Sequence, residues 1–125
     1  MVKAAVRAMD TVTAFMKQKR NADVDKFAVA GASKRGWTTW LTAAVDKRVV
    51  CFFPIVLSLL NIHDNLHHYY KSYGGWPFAF NDYYEVDITK DLDMPQLEKL
   101  QEIVDPYYYR DRLTQPKVIV SSTDD

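Results

Sequence analysis

Three groups of residues in this 125-residue chain are of types that can do chemistry. Ser33 lies in "FAVAGASKRGWTTWLTAAV", between Gly31 and Gly36, where an apolar run gives way to a helical pattern. His63, His67 and His68 share "NIHDNLHHYY", and Asp124 and Asp125 close the chain just after "KVIV". A serine nucleophile needs exposure, a base and donors for the oxyanion. A strand turning sharply into a helix supplies two of these. It lifts the hydroxyl above the sheet edge and aims the first helical N–H at developing negative charge. Gly31, two before the serine, removes a side chain that would crowd such a turn. The usual pattern has a second glycine two after the serine, but Arg35 holds that place and Gly36 comes one later. On spacing alone, a nucleophile turn and an ordinary strand–helix connection stay equally open.

The other groups carry weaker signals. His63-Asp64-x-x-His67 mimics a metalloprotease pattern with Asp in place of Glu, and on a helix it puts two imidazoles on one face. The shorter Asp reaches a metal-bound water poorly and no third ligand is evident. No metal is therefore expected, and these histidines read as surface or cap-lining residues. Lys34 and Arg35 place two cations in a first helical turn, where positive charge is mildly unfavourable. Their expected work is to bind an anionic substrate group or to orient a cap. Trp37, Trp40 and Tyr107 to Tyr109 read as packing residues. Trp76, beside Gly74-Gly75, is the better pocket wall, so Arg35 and Trp76 are the expected substrate contacts. Cys51 is the only cysteine, excludes an internal disulfide, and reads as a buried inert thiol.

The elements that must position these residues follow from periodicity. Residues 2–19 carry apolar positions at close to helical spacing and end in basic residues before Asn21. "KFAVAGA" reads as a strand buried on both faces, residues 34–46 as a second helix, and "RVVCFFPIVL" as a second strand ending near Pro54. From Leu57 to about Arg112 the pattern turns irregular and aromatic, apart from a short helix in "DMPQLEKLQEIV" with Pro95 in its first turn. "QPKVIVSS" reads as a third strand. This order predicts α/β architecture, with parallel strands, flanking helices and an aromatic-rich, cap-like insert. The expected organisation is a core over 1–56, the insert over 57–115, and a strand with its acid loop over 116–125.

Composition is globular, with 48% hydrophobic and 26% charged residues. Sixteen basic residues balance sixteen acidic ones, so bulk charge gives no reason to expect nucleic acid or an anionic membrane as partner. No run approaches the length of a membrane span, so membrane insertion is not expected. The first twenty residues carry charges throughout and do not look like a secretory signal.

"GASKRGWTTWLTAAVDKRV" resembles the central motif of the PhoPQ-activated pathogenicity-related protein family, of the α/β-hydrolase superfamily. The resemblance continues through "MVKAAVRAMDTV", "FPIVLSLLNI", "YGGWPFAFNDYY", "IVDPYYYRDRLTQPKVIV" and "SSTDD". The Ser-Lys-Arg-Gly order is also similar to the nucleophile turn of glucuronoyl esterases, where the basic residue after the serine helps the oxyanion hole. The resemblance implies a partial α/β-hydrolase fold and acyl transfer from a small-molecule or peptide substrate, with no cofactor. It implies Ser33 as nucleophile and the backbone N–H of Lys34 as an oxyanion donor. It implies Asp125 as the triad acid, with Asp124 as the alternative because family members usually read Gly-Asp there. The triad histidine is expected beyond Asp125 and the second oxyanion donor before Met1, in the chain order Ser…Asp…His. On this reading the chain is a central fragment, inactive and not independently stable by itself. None of the three histidines present stands in that order, and a rearranged triad using one of them is the lesser reading. The same family holds secreted, proliferation-repressing signalling proteins. A secreted or extracytoplasmic location is therefore expected, and binding to a cell-surface receptor without catalysis is the alternative function.

Overall fold

The structure, a computed structural model, describes residues 1–56 and 60–122. Its architecture is mixed α/β. The chain divides into two compact units, residues 1–58 with 109–125 and residues 59–108.

The first unit begins with helix α1, Val2–Arg20, which ends on Asn21 in the left-handed conformation at φ 50. Asn tolerates this region better than most side chains, and Lys17, Lys19 and Arg20 complement the dipole of the last turn. Strand β1, Phe27–Ala32, leads through Ser33 into helix α2, Lys34–Val45, and then strand β2, Val49–Ile55. The two strands pair in parallel, from Phe27 opposite Val49 to Ala32 opposite Ile55, with one irregularity after Phe27. Helix α2 packs on both strands. Trp40 meets Phe52 edge to face at 5.0 Å, and Ala43, Ala44, Val49 and Leu113 are buried in the same unit. Thr39 and Thr42 enter this core because their hydroxyls donate back to the carbonyls of Arg35 and Thr38.

Three expectations need correction here. β1 is not buried on both faces, since Ala28, Ala30 and Ala32 are exposed and the intervening residues half-buried. Cys51 is half-buried rather than enclosed. The segment expected as a third strand lies parallel to β2, joined by bridges at Phe52–Lys117 and Ile55–Val120, without a continuous ladder. The amides of Phe52 and Val56 donate to the carbonyls of Pro116 and Val120, and those of Val118 and Val120 donate to Phe52 and Pro54. Pro54 occupies the donor position between Phe52 and Val56 and has no N–H to offer, so the ladder is broken at its centre.

An ion cluster ties α1 to the entrance of β2. Arg48 holds Asp46 through Nε to Oδ1 at 3.0 Å and a terminal nitrogen to Oδ2 at 2.6 Å, and it reaches Asp10 at 2.9 Å. Hydrogen bonds from Arg48 lower the pKa of Asp46 below the ordinary 3.8. Those from Arg7 and then Arg48 do the same for Asp10. A carboxyl with a depressed folded pKa stabilises fully above its unfolded value and loses that contribution as pH falls through the folded one. Arg48→Met is therefore expected to lower the thermal midpoint at neutral pH. The gap to wild type should close as pH drops below 3.8. A gap of constant size across that range would mean that Arg48 acts through packing alone.

The second unit is built on helix α3, Ile62–Tyr73, with Ile62 and Leu66 buried and Gly74 ending it at φ 68. Residues 62–73 were expected to be irregular. The helix forms because Asp105, 1% exposed, accepts the amides of Asn61 at 3.3 Å and Ile62 at 2.7 Å, and that of Tyr107 at 2.9 Å. A carboxylate from more than forty residues away thus satisfies the helix start. A short helix α4, Asn81–Glu85, follows, and then α5, Pro95–Val104, which opens on its proline as expected.

Candidate functional site

Ser33 joins β1 to α2 with φ 53 and ψ −125, a backbone conformation that L-residues avoid. Its amide donates to Ile55 at the end of β2 over 3.0 Å, and its carbonyl accepts the amide of Trp37 at 3.1 Å as the first helical bond. Serine usually caps a helix with its own hydroxyl. Ser33 stands in the cap position but makes no such bond. It is exposed.

Gly31 explains how tight the turn is. A Cβ there would lie 2.5 Å from the carbonyl oxygen of Arg35 and 2.8 Å from the Arg35 Cβ. The first turn of α2 therefore folds directly over the strand that leads into it. Lys34 is the first residue of α2, and the opening amides of a helix point outward along its axis instead of joining its ladder. Together these features give an exposed hydroxyl at a helix N-terminus on a strained turn, an arrangement suited to nucleophilic attack with an adjacent backbone donor. Arg35 is exposed in the same turn, and Gly36 is buried one residue later. Asp124 and Asp125, the expected acid, lie outside the described residues.

Within the second unit, Trp76 lines a cavity of about 270 Å³ with Tyr70, Gly75, Asn81 and Tyr84. The Trp76 ring packs against Tyr70 at 5.0 Å and Phe80 at 6.3 Å, which leaves an aromatic wall of fixed orientation. Tyr107 and Tyr108, expected as packing residues, are 42% and 47% exposed, whereas Trp40 is core.

The histidines are more organised than their spacing suggested. α3 sets His63 and His67 on one face with ring centroids 4.6 Å apart, and the Nε2 atom of each lies 2.9 Å from the same oxygen, Oδ1 of Asp93. His63 Nδ1 faces Asp64 Oδ1 at 3.3 Å, and Asp64 is held by Asn61. Hydrogen bonds to Asp93 and then Asp64 raise the pKa of His63, and those from His63 and His67 lower that of Asp93. His68 faces Ser72 instead. Asp93, which precedes α5, is the third polar group that was not evident in the sequence, because it lies 26 residues beyond His67 and no spacing rule links them.

The sequence profile of a family described as "PhoPQ-activated pathogenicity-related protein" matches residues 1–125. The chain is 46% identical over 125 residues to "Autocrine proliferation repressor protein A" of Dictyostelium discoideum, an alignment that covers 100% of this chain and 25% of that protein. The chain thus spans about a quarter of the length of the curated relative it matches. No solved structure matches it. Among the described residues, no helix is long and apolar enough to cross a membrane.

Proposed function

The chain belongs to the PhoPQ-activated pathogenicity-related protein family, and from that premise we propose that it carries the nucleophile of a serine hydrolase of the α/β-hydrolase type. The observation that carries this reading is the backbone of Ser33, held at φ 53 and ψ −125 between β1 and α2 with its hydroxyl unused as a cap. Strain of this kind is kept where the surrounding structure over-determines it, and it concentrates at functional sites. In the proposed reaction Ser33 Oγ attacks the carbonyl carbon of an ester or amide. A histidine downstream of the acid takes the hydroxyl proton and returns it to the leaving group, while Asp125 or Asp124 orients that histidine. The Lys34 N–H bonds the oxyanion as the tetrahedral intermediate forms.

Arg35 is proposed as a substrate contact through its charge, and Trp76, in the second unit, is proposed as an aromatic binding wall of its own. The paired cations in the first turn of α2, which holds no acidic residue, suit an acyl substrate bearing an anionic group. Lys34→Ala is expected to slow turnover of acidic esters more than that of matched neutral ones. Equal rates on both classes would remove this role.

The second reading is favoured by the relative named as an autocrine proliferation repressor. On that reading the protein is secreted and represses proliferation through a cell-surface receptor, with the hydrolase scaffold serving only as a binding surface. Labelling the purified protein with a fluorophosphonate, alongside Ser33→Ala and a proliferation assay of both, separates the two. The hydrolase reading expects labelling that Ser33→Ala abolishes. A wild-type protein that takes no label, with repression intact in Ser33→Ala, would replace it by the second.

A further inference from the structure

We propose that His63, His67 and Asp93 form a binding site for a divalent transition-metal ion of the zinc class. The site is independent of the hydrolase reading and lies wholly within the second unit.

The geometry carries it. Two imidazole nitrogens and one carboxylate oxygen converge from two elements, and their ligand atoms all lie within 4.8 Å of one another. Tetrahedral zinc with bonds of about 2.0–2.1 Å spaces its ligand atoms roughly 3.3 Å apart. Each Nε2 stands 2.9 Å from Asp93 Oδ1, so seating an ion requires these two nitrogen–oxygen pairs to open by only a few tenths of an ångström, with the two nitrogens already within 4.8 Å of one another. The i, i+4 spacing on α3 fixes the two imidazoles without help from the ion.

The surroundings of His63 point the same way. A metal-bound imidazole gives its other nitrogen's proton to a carboxylate or carbonyl, which settles the tautomer and turns the lone pair toward the ion. Here Nδ1 of His63 faces Asp64 Oδ1 at 3.3 Å, and Asn61 Nδ2 donates to the other Asp64 oxygen at 2.6 Å. A proton on Nδ1, given to Asp64, leaves the Nε2 lone pair for the ion, which would replace the Nε2–Asp93 hydrogen bond.

The donor set also narrows the ion to the imidazole-binding divalent metals. Magnesium and calcium prefer oxygen ligands throughout, and copper(I) prefers sulfur, whereas two nitrogens and one oxygen suit zinc. Zinc binds such a set more tightly than iron(II) or manganese(II). Asp93 is well exposed, so a water or an anionic group of a ligand can complete the coordination of a bound ion. The bound ion would pin α3 to the segment that precedes α5.

The test is calorimetric titration of the purified protein with Zn2+, repeated with His67→Gln, Asp93→Asn and the control His68→Gln. The expected result is one site in wild type and in His68→Gln, weakened at least about tenfold in the other two variants. Protection of His63 and His67 from diethyl pyrocarbonate by Zn2+, measured on wild type, reads the same site without any substitution. Absence of binding at millimolar Zn2+, or binding that survives in both His67→Gln and Asp93→Asn with no protection of the two histidines, overturns the proposal.

Discussion

Ser33→Gly is expected to make the protein more stable by about 1 kcal/mol while abolishing the acylation proposed for Ser33. A side chain held in a disfavoured backbone region costs about 1–3 kcal/mol, and Ser33 is held at φ 53 and ψ −125. Glycine enters that region freely but gains about 0.4–1 kcal/mol of extra freedom in the unfolded chain. The net effect remains stabilising. Ser33→Ala isolates the cause because it removes the same hydroxyl but keeps the Cβ, and hence the strain. Since Ser33 does not cap α2 with its hydroxyl, the alanine variant should lose little by capping. Denaturant unfolding should therefore rank glycine above both alanine and serine. Both variants should lose Ser33-dependent acylation by about 10³-fold or more. A glycine variant no more stable than the alanine one would mean that the turn stores no strain. Undiminished acylation in either variant would move the nucleophile elsewhere.

The sequence made this turn legible only in part. Gly31, Ser33 and the helical pattern after them were consistent with a strained turn, yet the displaced Gly36 left an ordinary connection equally open. The strain at Ser33 is a pair of dihedral angles, and no residue type encodes those alone. The helices at 2–20, 34–45 and 95–104 could be read because their apolar residues recur at helical spacing and their ends carry suitable residues.

α3 was harder, although Ile62, Leu66, Tyr69 and Tyr73 also recur at helical spacing. Tyrosine and histidine serve turns and pockets as readily as helices. The group that satisfies the start of this helix, Asp105, is 43 residues away from Ile62. The break opposite Val118 was visible in principle, because Pro54 interrupts an otherwise strong strand pattern. Its effect depends on which neighbour Pro54 faces, and that is a property of register. Asp93 joining His63 and His67 is the same kind of fact, a contact between elements with no periodicity to announce it.

Gly31→Ala is the substitution expected to do most damage for its size. A single methyl at this position would meet the Arg35 carbonyl oxygen at 2.5 Å, its carbon at 2.6 Å and the Arg35 Cβ at 2.8 Å. Two of these three atoms are backbone, so rotating a flexible side chain cannot relieve the overlap. Either β1 must move from its pairing with Pro54, or the first turn of α2 must lift. Overpacking of a tight interior typically costs about 1–3 kcal/mol, and the backbone contact places Gly31→Ala at the upper end, near 3 kcal/mol. Lifting α2 also displaces the Lys34 amide relative to Ser33, because both belong to the turn that the methyl opens. Acylation should consequently fall about 10²-fold even in the fraction that stays folded, since misplacement by about an ångström is enough for that. Comparing labelling rates per folded molecule, with the folded fraction taken from circular dichroism, separates the two effects. A Gly31→Ala protein as stable and as reactive as wild type would mean that the strand and helix approach one another less closely than the Gly31–Arg35 contact requires.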